Sequence, residues 1–153
     1  MDQTLARIEE LGFQLPEVPA PLAAYVNCVR SGNLLFLSGG LPIEGDRKVI
    51  GKVPTDVSPE EAKEGARIAI LNRIAVIRDE IGSLDKVKRI VALNAFVNSE
   101  PDFYDHPLVV NGASEFLLEV FGDRGKHSRT ALGAAALPLN VAVEINMTVE
   151  VED

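Results

Sequence analysis

Two adjoining stretches decide the fold class: SPEEAKEGARIAILNRIAVIRDEI (residues 58–81) and, after Gly82, VKRIVALNAFV (residues 87–97). In the first, Ser58 can cap a helix, Pro59 suits its first position, and Glu61 completes a capping box. Ala62, Ala66, Ile70, Ile74, Ile77 and Ile81 then recur at three- and four-residue steps, the stripe of an amphipathic helix that Gly82 stops. The second stretch is apolar on both faces of an extended strand, with Ile90, Ala92 and Phe96 on one and Val91, Leu93 and Val97 on the other. Such a strand is central in its sheet, or is covered on its second face by another subunit.

Upstream, Asp2 to Leu11 carries Leu5, Ile8 and Leu11 at helical spacing and ends at Gly12. Pro16, Pro19 and Pro21 then enforce an extended passage. Residues 1–24 are thus read as a helix with a Pro-rich extension to a single domain spanning 1–153. Tyr25 to Arg30 and Leu34 to Leu37, joined by Ser31-Gly32-Asn33, read as a β-hairpin. Ser38-Gly39-Gly40 breaks its second strand, and a further strand is expected from Val49 to Val53.

Downstream, Pro107 to Phe121 reads as a second helix with Val110, Phe116 or Leu117, and Val120 inward. Two closing strands, Arg129 to Leu137 and Val141 to Val151, turn around Pro138-Leu139-Asn140. The order ββ(β)αβαββ is an α+β layout with both main helices on one face of a sheet. The other face lacks a cover, so self-association is expected.

The chain has 153 residues, the size of one domain. Apolar residues are 46% and charged ones 25%. With 23 acidic against 15 basic side chains the net charge is −8, which argues against a nucleic-acid partner, since phosphate affinity rests on clustered Lys and Arg. One cysteine, Cys28, excludes an internal disulfide and a Cys-based zinc cage. His106 and His127 are too few for most metal sites unless carboxylates complete the set. No stretch approaches ~20 apolar residues, so no membrane span is expected. Met1 to Phe13 lacks the order of a secretory signal, which makes the cytosol the expected compartment.

Several residues could carry chemistry. Arg129, Ala131, Gly133 and Ala135 share one face of their strand, leaving a guanidinium among small residues. Arg129 either holds a carboxylate by paired hydrogen bonds, points into solvent, or meets a structural acid. On the last strand Ala142, Glu144, Asn146 and Thr148 face one side. Glu144 is either a base orienting water, a partner for Arg129, or a solvated residue. Ser38 and Gly39 either expose bare N–H groups to a ligand or only turn the chain. Asn111 binds a polar ligand or caps the second helix; Tyr25 closes a pocket or only packs. Cys28 reads as a packing residue rather than a nucleophile, and His127 falls near Arg129 on the same strand edge. Walker A, GxGxxG, HExxH and nucleophile-elbow patterns are missing.

Tyr25 ahead of SGNLLFLSGGLP (31–42), then Gly51-Lys52-Val53, resembles the opening of the RidA family, also called YjgF or L-PSP endoribonuclease-like. Asn111, Ser128-Arg129-Thr130-Ala131, Leu137-Pro138 and Val143-Glu144-Ile145 match it as well, so the likeness runs from about Tyr25 to Val151. The resemblance implies a chorismate mutase-like α+β subunit with a mixed sheet, assembled as a homotrimer with pockets at subunit interfaces. It implies hydrolysis of reactive 2-imino or enamine acids to 2-keto acids and ammonia, with no cofactor and no metal. Arg129 would then clamp the substrate carboxylate and Glu144 position the attacking water, while Tyr25, Ser38, Gly39 and Asn111 shape the pocket. An imine carbon is already electrophilic, so orientation supplies most of what is needed. Two other functions stay open at this level: a non-catalytic trimer that binds a small carboxylic metabolite, and the ribonuclease of the family's older name. The chain departs from the family pattern at Ala23-Ala24, at His127-Ser128 and at Ala131, where a cysteine is common, and it belongs to a lengthened branch.

Overall fold

The computed structural model describes all residues, 1–153. After helix α1 (Gln3–Glu10) come β1 (Cys28–Ser31), β2 (Leu34–Gly40), a two-residue hairpin of β3 (Ile43–Glu44) and β4 (Arg47–Lys48), and helix α2 (Pro59–Ile81). Then follow β5 (Val87–Asn98), α3 (His106–Phe121), β6 (Ser128–Ala134) and β7 (Val143–Val151). The main sheet has the order β1-β2-β7-β5-β6, with β5 and β6 parallel and the other neighbours antiparallel. It is a mixed sheet, as the resemblance implies. The parallel pair requires a crossover, and α3 supplies it.

α2 begins where the sequence predicts. Ser58 Oγ accepts from the Glu61 amide at 3.1 Å and Pro59 fills the first turn. The expected capping box is half made, because the Glu61 carboxylate turns instead toward Arg47, 3.4 Å away. All six stripe residues are buried, yet so is every residue from Gly65 to Ile77. The helix is enclosed by the sheet on one side and by α3 and the N-terminal segment on the other. At its crossing with α3, a Cβ on Gly112 would overlap the Lys63 carbonyl, so only glycine lets the two backbones approach so closely.

β5 is central, between β7 and β6, as its two-sided pattern predicts. One face assignment changes. A register shift between Ile90 and Ala92 turns Ile90 to the helix side with Leu93, Ala95 and Val97, all buried. Ala92, Asn94 and Phe96 lie on the face without helices. There Val29, Phe36 and Leu132 are each about half exposed, in cross-strand contact with Phe96 and Thr148 neighbours. An apolar strip of this kind on an open sheet calls for a partner surface.

Other expectations shift at their edges. The first hairpin strand starts at Cys28, leaving Tyr25 in the bend before it, and Ser38-Gly39-Gly40 continues β2 as a bulge rather than ending it. No strand forms over Val49–Val53; this segment makes only single bridges, Ile50 to Val141 and Val53 to Ser99, and the hairpin of β3 and β4 precedes it. The two closing strands do not pair. β6 ends at Ala134, and β5 separates it from β7. No helix is long and apolar enough to cross a membrane.

The N-terminal helix is fastened rather than loose. The Asp85 carboxylate accepts from the Gln3 and Thr4 amides at 2.9 Å each and from Thr4 Oγ1 at 2.7 Å. Asp2 caps α1 and also accepts from the Leu84 amide.

Candidate functional site

Arg129 opens β6 on the helix-covered face, in register with Leu93. Its Nη1 donates to Asn111 Oδ1 at 2.8 Å and Ser114 Oγ at 3.0 Å, and Nη2 donates to the Pro107 carbonyl at 3.3 Å. All three acceptors are neutral, so the protein leaves the charge of Arg129 uncompensated. Asn111 therefore serves the arginine and does not cap α3. His127 supports the same group. Its Nδ1 donates to the Gly125 carbonyl at 2.6 Å, which leaves Nε2 to accept from Ser114 Oγ at 2.8 Å. Ser114 then has a lone pair free for Arg129. Asn111, Ser114, His127 and Arg129 line an open cleft with Lys126 and Leu118.

Glu144 sits on β7 opposite Phe96, on the face without helices. Burial pushes its pKa up, while the positive charge of Arg73 opposes the rise. The carboxylate rests on the bare backbone of Gly39: a Cβ there would overlap Glu144 Oε2. Gly39 is thus a glycine because a side chain touches it, an example of close approach rather than of turning. Its neighbour Ser38 accepts from Arg73 Nη1 through both its carbonyl (3.0 Å) and its Oγ (3.2 Å).

Tyr25 is half exposed, and its hydroxyl accepts from the Leu22 amide at 3.3 Å. It lines a cavity of about 140 Å³ together with Gly39, Asn27, Leu139, Asn72 and Arg73. The residues expected at a site therefore fall into two groups. Tyr25, Ser38, Gly39 and Glu144 are gathered around the β2 bulge, and Asn111 and Arg129 around the β6 edge. Arg129 lies on the helix-covered face and Glu144 on the other, while Ser38 and Tyr25 reach Arg73 of α2 at the bulge between them.

Arg73, buried in the middle of α2, escapes a sequence reading that counts one apolar stripe. The signal is present nevertheless: Asn72-Arg73 interrupts an otherwise apolar run, and Arg73 follows Ala66 and Ile70 on their own helical face. No three of the His, Cys, Asp and Glu side chains converge as a metal would need.

Residues 5–151 match the family described as "YjgF/chorismate_mutase-like, putative endoribonuclease". The chain belongs to the YjgF/RidA family. Among relatives, it is 39% identical over 150 residues to Protein TCP17 of Trypanosoma cruzi, covering 97% of this chain and 94% of that one. It is 29% identical over 139 residues to a 2-iminobutanoate/2-iminopropanoate deaminase of Dermatophagoides farinae, covering 90% and 93%. The crystal structure of Atu1372 from Agrobacterium tumefaciens, a protein described as of unknown function, superposes with a TM-score of 0.90 at 40% identity, covering 98% of this chain and 92% of that one. In this YjgF/RidA-family chain Cys28 is not poised as a nucleophile. Burial, and then the nearby Glu80, push its thiol up to about 11 against the pull of Arg73.

Proposed function

We propose that the protein is a cytosolic hydrolase that converts reactive 2-imino or enamine acids to 2-keto acids and ammonia. It acts as a homotrimer in which the Arg129 group of one protomer faces the Glu144 group of its neighbour. The observation that carries this reading is the pair of half-sites. One edge of the sheet holds a guanidinium with no counter-ion, and the open face holds a half-buried carboxylate against bare backbone. Half-exposed Val29, Phe36 and Leu132 supply an apolar surface on which a second copy would seat. The 29% identity to an iminobutanoate/iminopropanoate deaminase supports the same chemistry.

The mechanism needs little machinery. Arg129, held by Asn111 and Ser114, clamps the substrate carboxylate through paired hydrogen bonds. Glu144 takes a proton from a water as its oxygen bonds to the C=N carbon, giving a carbinolamine. The substrate reacts as the protonated imine, which an enamine reaches by taking a proton at carbon. The proton held by Glu144 passes to the carbinolamine nitrogen and the C–N bond breaks with release of ammonia. The hydroxyl gives its proton to Glu144, and from there to solvent, to form the keto group. A carboxylate whose pKa is raised by burial is a better base for this step than one in water. No cofactor enters the balance.

The test is a coupled assay in which an amino-acid oxidase generates the imine and keto-acid release is followed. Wild-type protein is expected to accelerate release. Glu144→Gln is expected to bind a 2-keto acid but not to turn over imine. Full activity in that variant overturns the reading, and binding without any wild-type turnover favours a non-catalytic metabolite-binding protein.

A further inference from the structure

Arg73 is 2% exposed, and the carboxylate that acts on its charge, Glu144, does so from beyond ion-pair distance. Nη1 donates to Ser38, as described, but Nε is buried with no partner, pressed against Gly40. No carboxylate comes within 4 Å of the guanidinium. Arg67, the other buried arginine of α2, also has one unpartnered nitrogen, Nη1, but it has a direct counter-ion: its Nε and Nη2 both donate to Glu64 Oε1, at 2.8 and 2.6 Å. Removing a guanidinium from water without a counter-ion is costly, and buried charges are paired as a rule.

The open side of Arg73 borders the cavity of about 140 Å³ beneath Tyr25. Leu22, Leu139 and the Tyr25 ring give it apolar walls, and Asn27 and Arg73 are polar points in them. Leu139 is held there in the left-handed region at φ 57°, unusual for a leucine. Its segment is over-determined: Asn140 accepts from the Gly51 amide at 2.7 Å through its carbonyl and from Asn98 Nδ2 at 3.0 Å through its side chain. Backbone held in a sparsely populated conformation at a cavity rim points to a function for that rim.

We propose that this cavity receives the distal carboxylate of a 2-imino dicarboxylic acid, with Arg73 as its receptor. The inference rests on the deaminase reading above and adds the substrate class. A substrate with one carboxylate is met by Arg129. A second guanidinium with no carboxylate in direct contact, placed beside the Gly39 backbone on which Glu144 rests, calls for a second anion. The cavity is large enough for a carboxylate and the one or two methylenes that join it to the reacting carbon, and its apolar walls suit those methylenes.

The test compares 2-oxoglutarate with 2-oxopentanoate, which have the same chain length and differ at the distal carboxylate. Calorimetric titration of the wild-type protein is expected to show 2-oxoglutarate binding about tenfold more tightly, the scale of one charge-assisted hydrogen bond from Nη2. In Arg73→Met the ratio is expected to fall to about one. Leu22→Glu provides a second variant that leaves the core packing alone, because Leu22 is 62% exposed; its new carboxylate at the rim should also lower the ratio. The kcat/KM values for the corresponding imines should follow the same order. Equal binding of the two keto acids by wild type, or an undiminished ratio in Arg73→Met, overturns the inference and leaves the deaminase reading standing. Absence of both keto-acid binding and imine turnover overturns the two together.

Discussion

Arg129 and Glu144 stand on opposite faces of one sheet. They are tied to β5 through Leu93 and Phe96, three residues apart and therefore pointing opposite ways. A guanidinium on the helix side of an edge strand and a carboxylate on the open side cannot close on one small ligand within a protomer. Two copies packed open face to sheet edge can bring them together, and the apolar strip beside Glu144 gives such packing a driving force. In the proposed mechanism the catalytic unit is therefore an interface between two copies.

Arg129→Ala removes the only charge among Asn111, Ser114 and the Pro107 carbonyl. Loss of a charge-assisted clamp of this kind costs about 3 kcal/mol in transition-state binding, on the order of a hundredfold in kcat/KM. The oxidase-coupled assay measures it, and size-exclusion chromatography should find the assembly unchanged. A drop of less than a few-fold means that Arg129 does not hold substrate.

Gly39→Ala separates fold from function. The overlapped atoms, Glu144 Oε2, Cδ and Cγ, all belong to one flexible side chain, so the methyl can be accommodated by turning that side chain away. Thermal stability should stay close to wild type while turnover falls. Unchanged turnover would show that the position of the carboxylate does not matter.

Glu144→Gln should show two opposite effects. The folded pKa of Glu144 lies above its ordinary 4.5 because burial disfavours the charge. On raising the pH the unfolded chain ionises first, so Glu144 lowers stability from its unfolded pKa upward and has no such effect below it. At pH 7 the amide variant should therefore melt no lower than wild type, and the difference should shrink as pH falls through the carboxylate range. Turnover runs the other way: in wild type it should rise with pH through the elevated pKa, and in the variant it should be lost. A variant that melts clearly lower at pH 7 contradicts the assigned environment.

Asp85 tests the docking of α1. Hydrogen bonds from the Gln3 amide, then from the Thr4 hydroxyl and amide, hold its pKa down at about 2. The stabilisation is present above the unfolded value of 3.8 and is lost as pH falls through about 2. Asp85→Asn should speed amide hydrogen exchange across residues 3–10 at neutral pH and remove that acid transition. Unchanged exchange in the variant means that other contacts hold the helix.

What could be read from the sequence was local. Ser58 and Pro59 announce the start of α2 because caps act within one turn, and the two-sided apolar pattern of Val87–Val97 places β5 inside the sheet before any partner strand is known. The pairing of β6 with β5 rather than with β7 was hidden, because strand order depends on the α3 crossover and not on the turn at Pro138–Asn140. Val49–Val53 has a strand's composition, but its amides and carbonyls bond to Pro42 nearby and to Asn98 and Ala142 far along the chain, not to one partner strand. Family resemblance names Arg129, Glu144, Gly39, Ser38, Tyr25 and Asn111. Periodicity alone could not find Arg73, since a stripe describes a half-buried helix and α2 is enclosed on all sides. His127 could be placed near Arg129, but its bond to Ser114 depends on how α3 packs on β6.

The interface claim is tested most directly by mixing two inactive variants. Arg129→Ala and Glu144→Gln protein, unfolded together at equal concentration and refolded, should recover about a quarter of wild-type activity, because in a cyclic assembly one neighbour in two supplies each intact half-site. Recovery at that level is the result predicted here. A mixed preparation as inactive as its components, in assemblies verified to contain both variants, would contradict it.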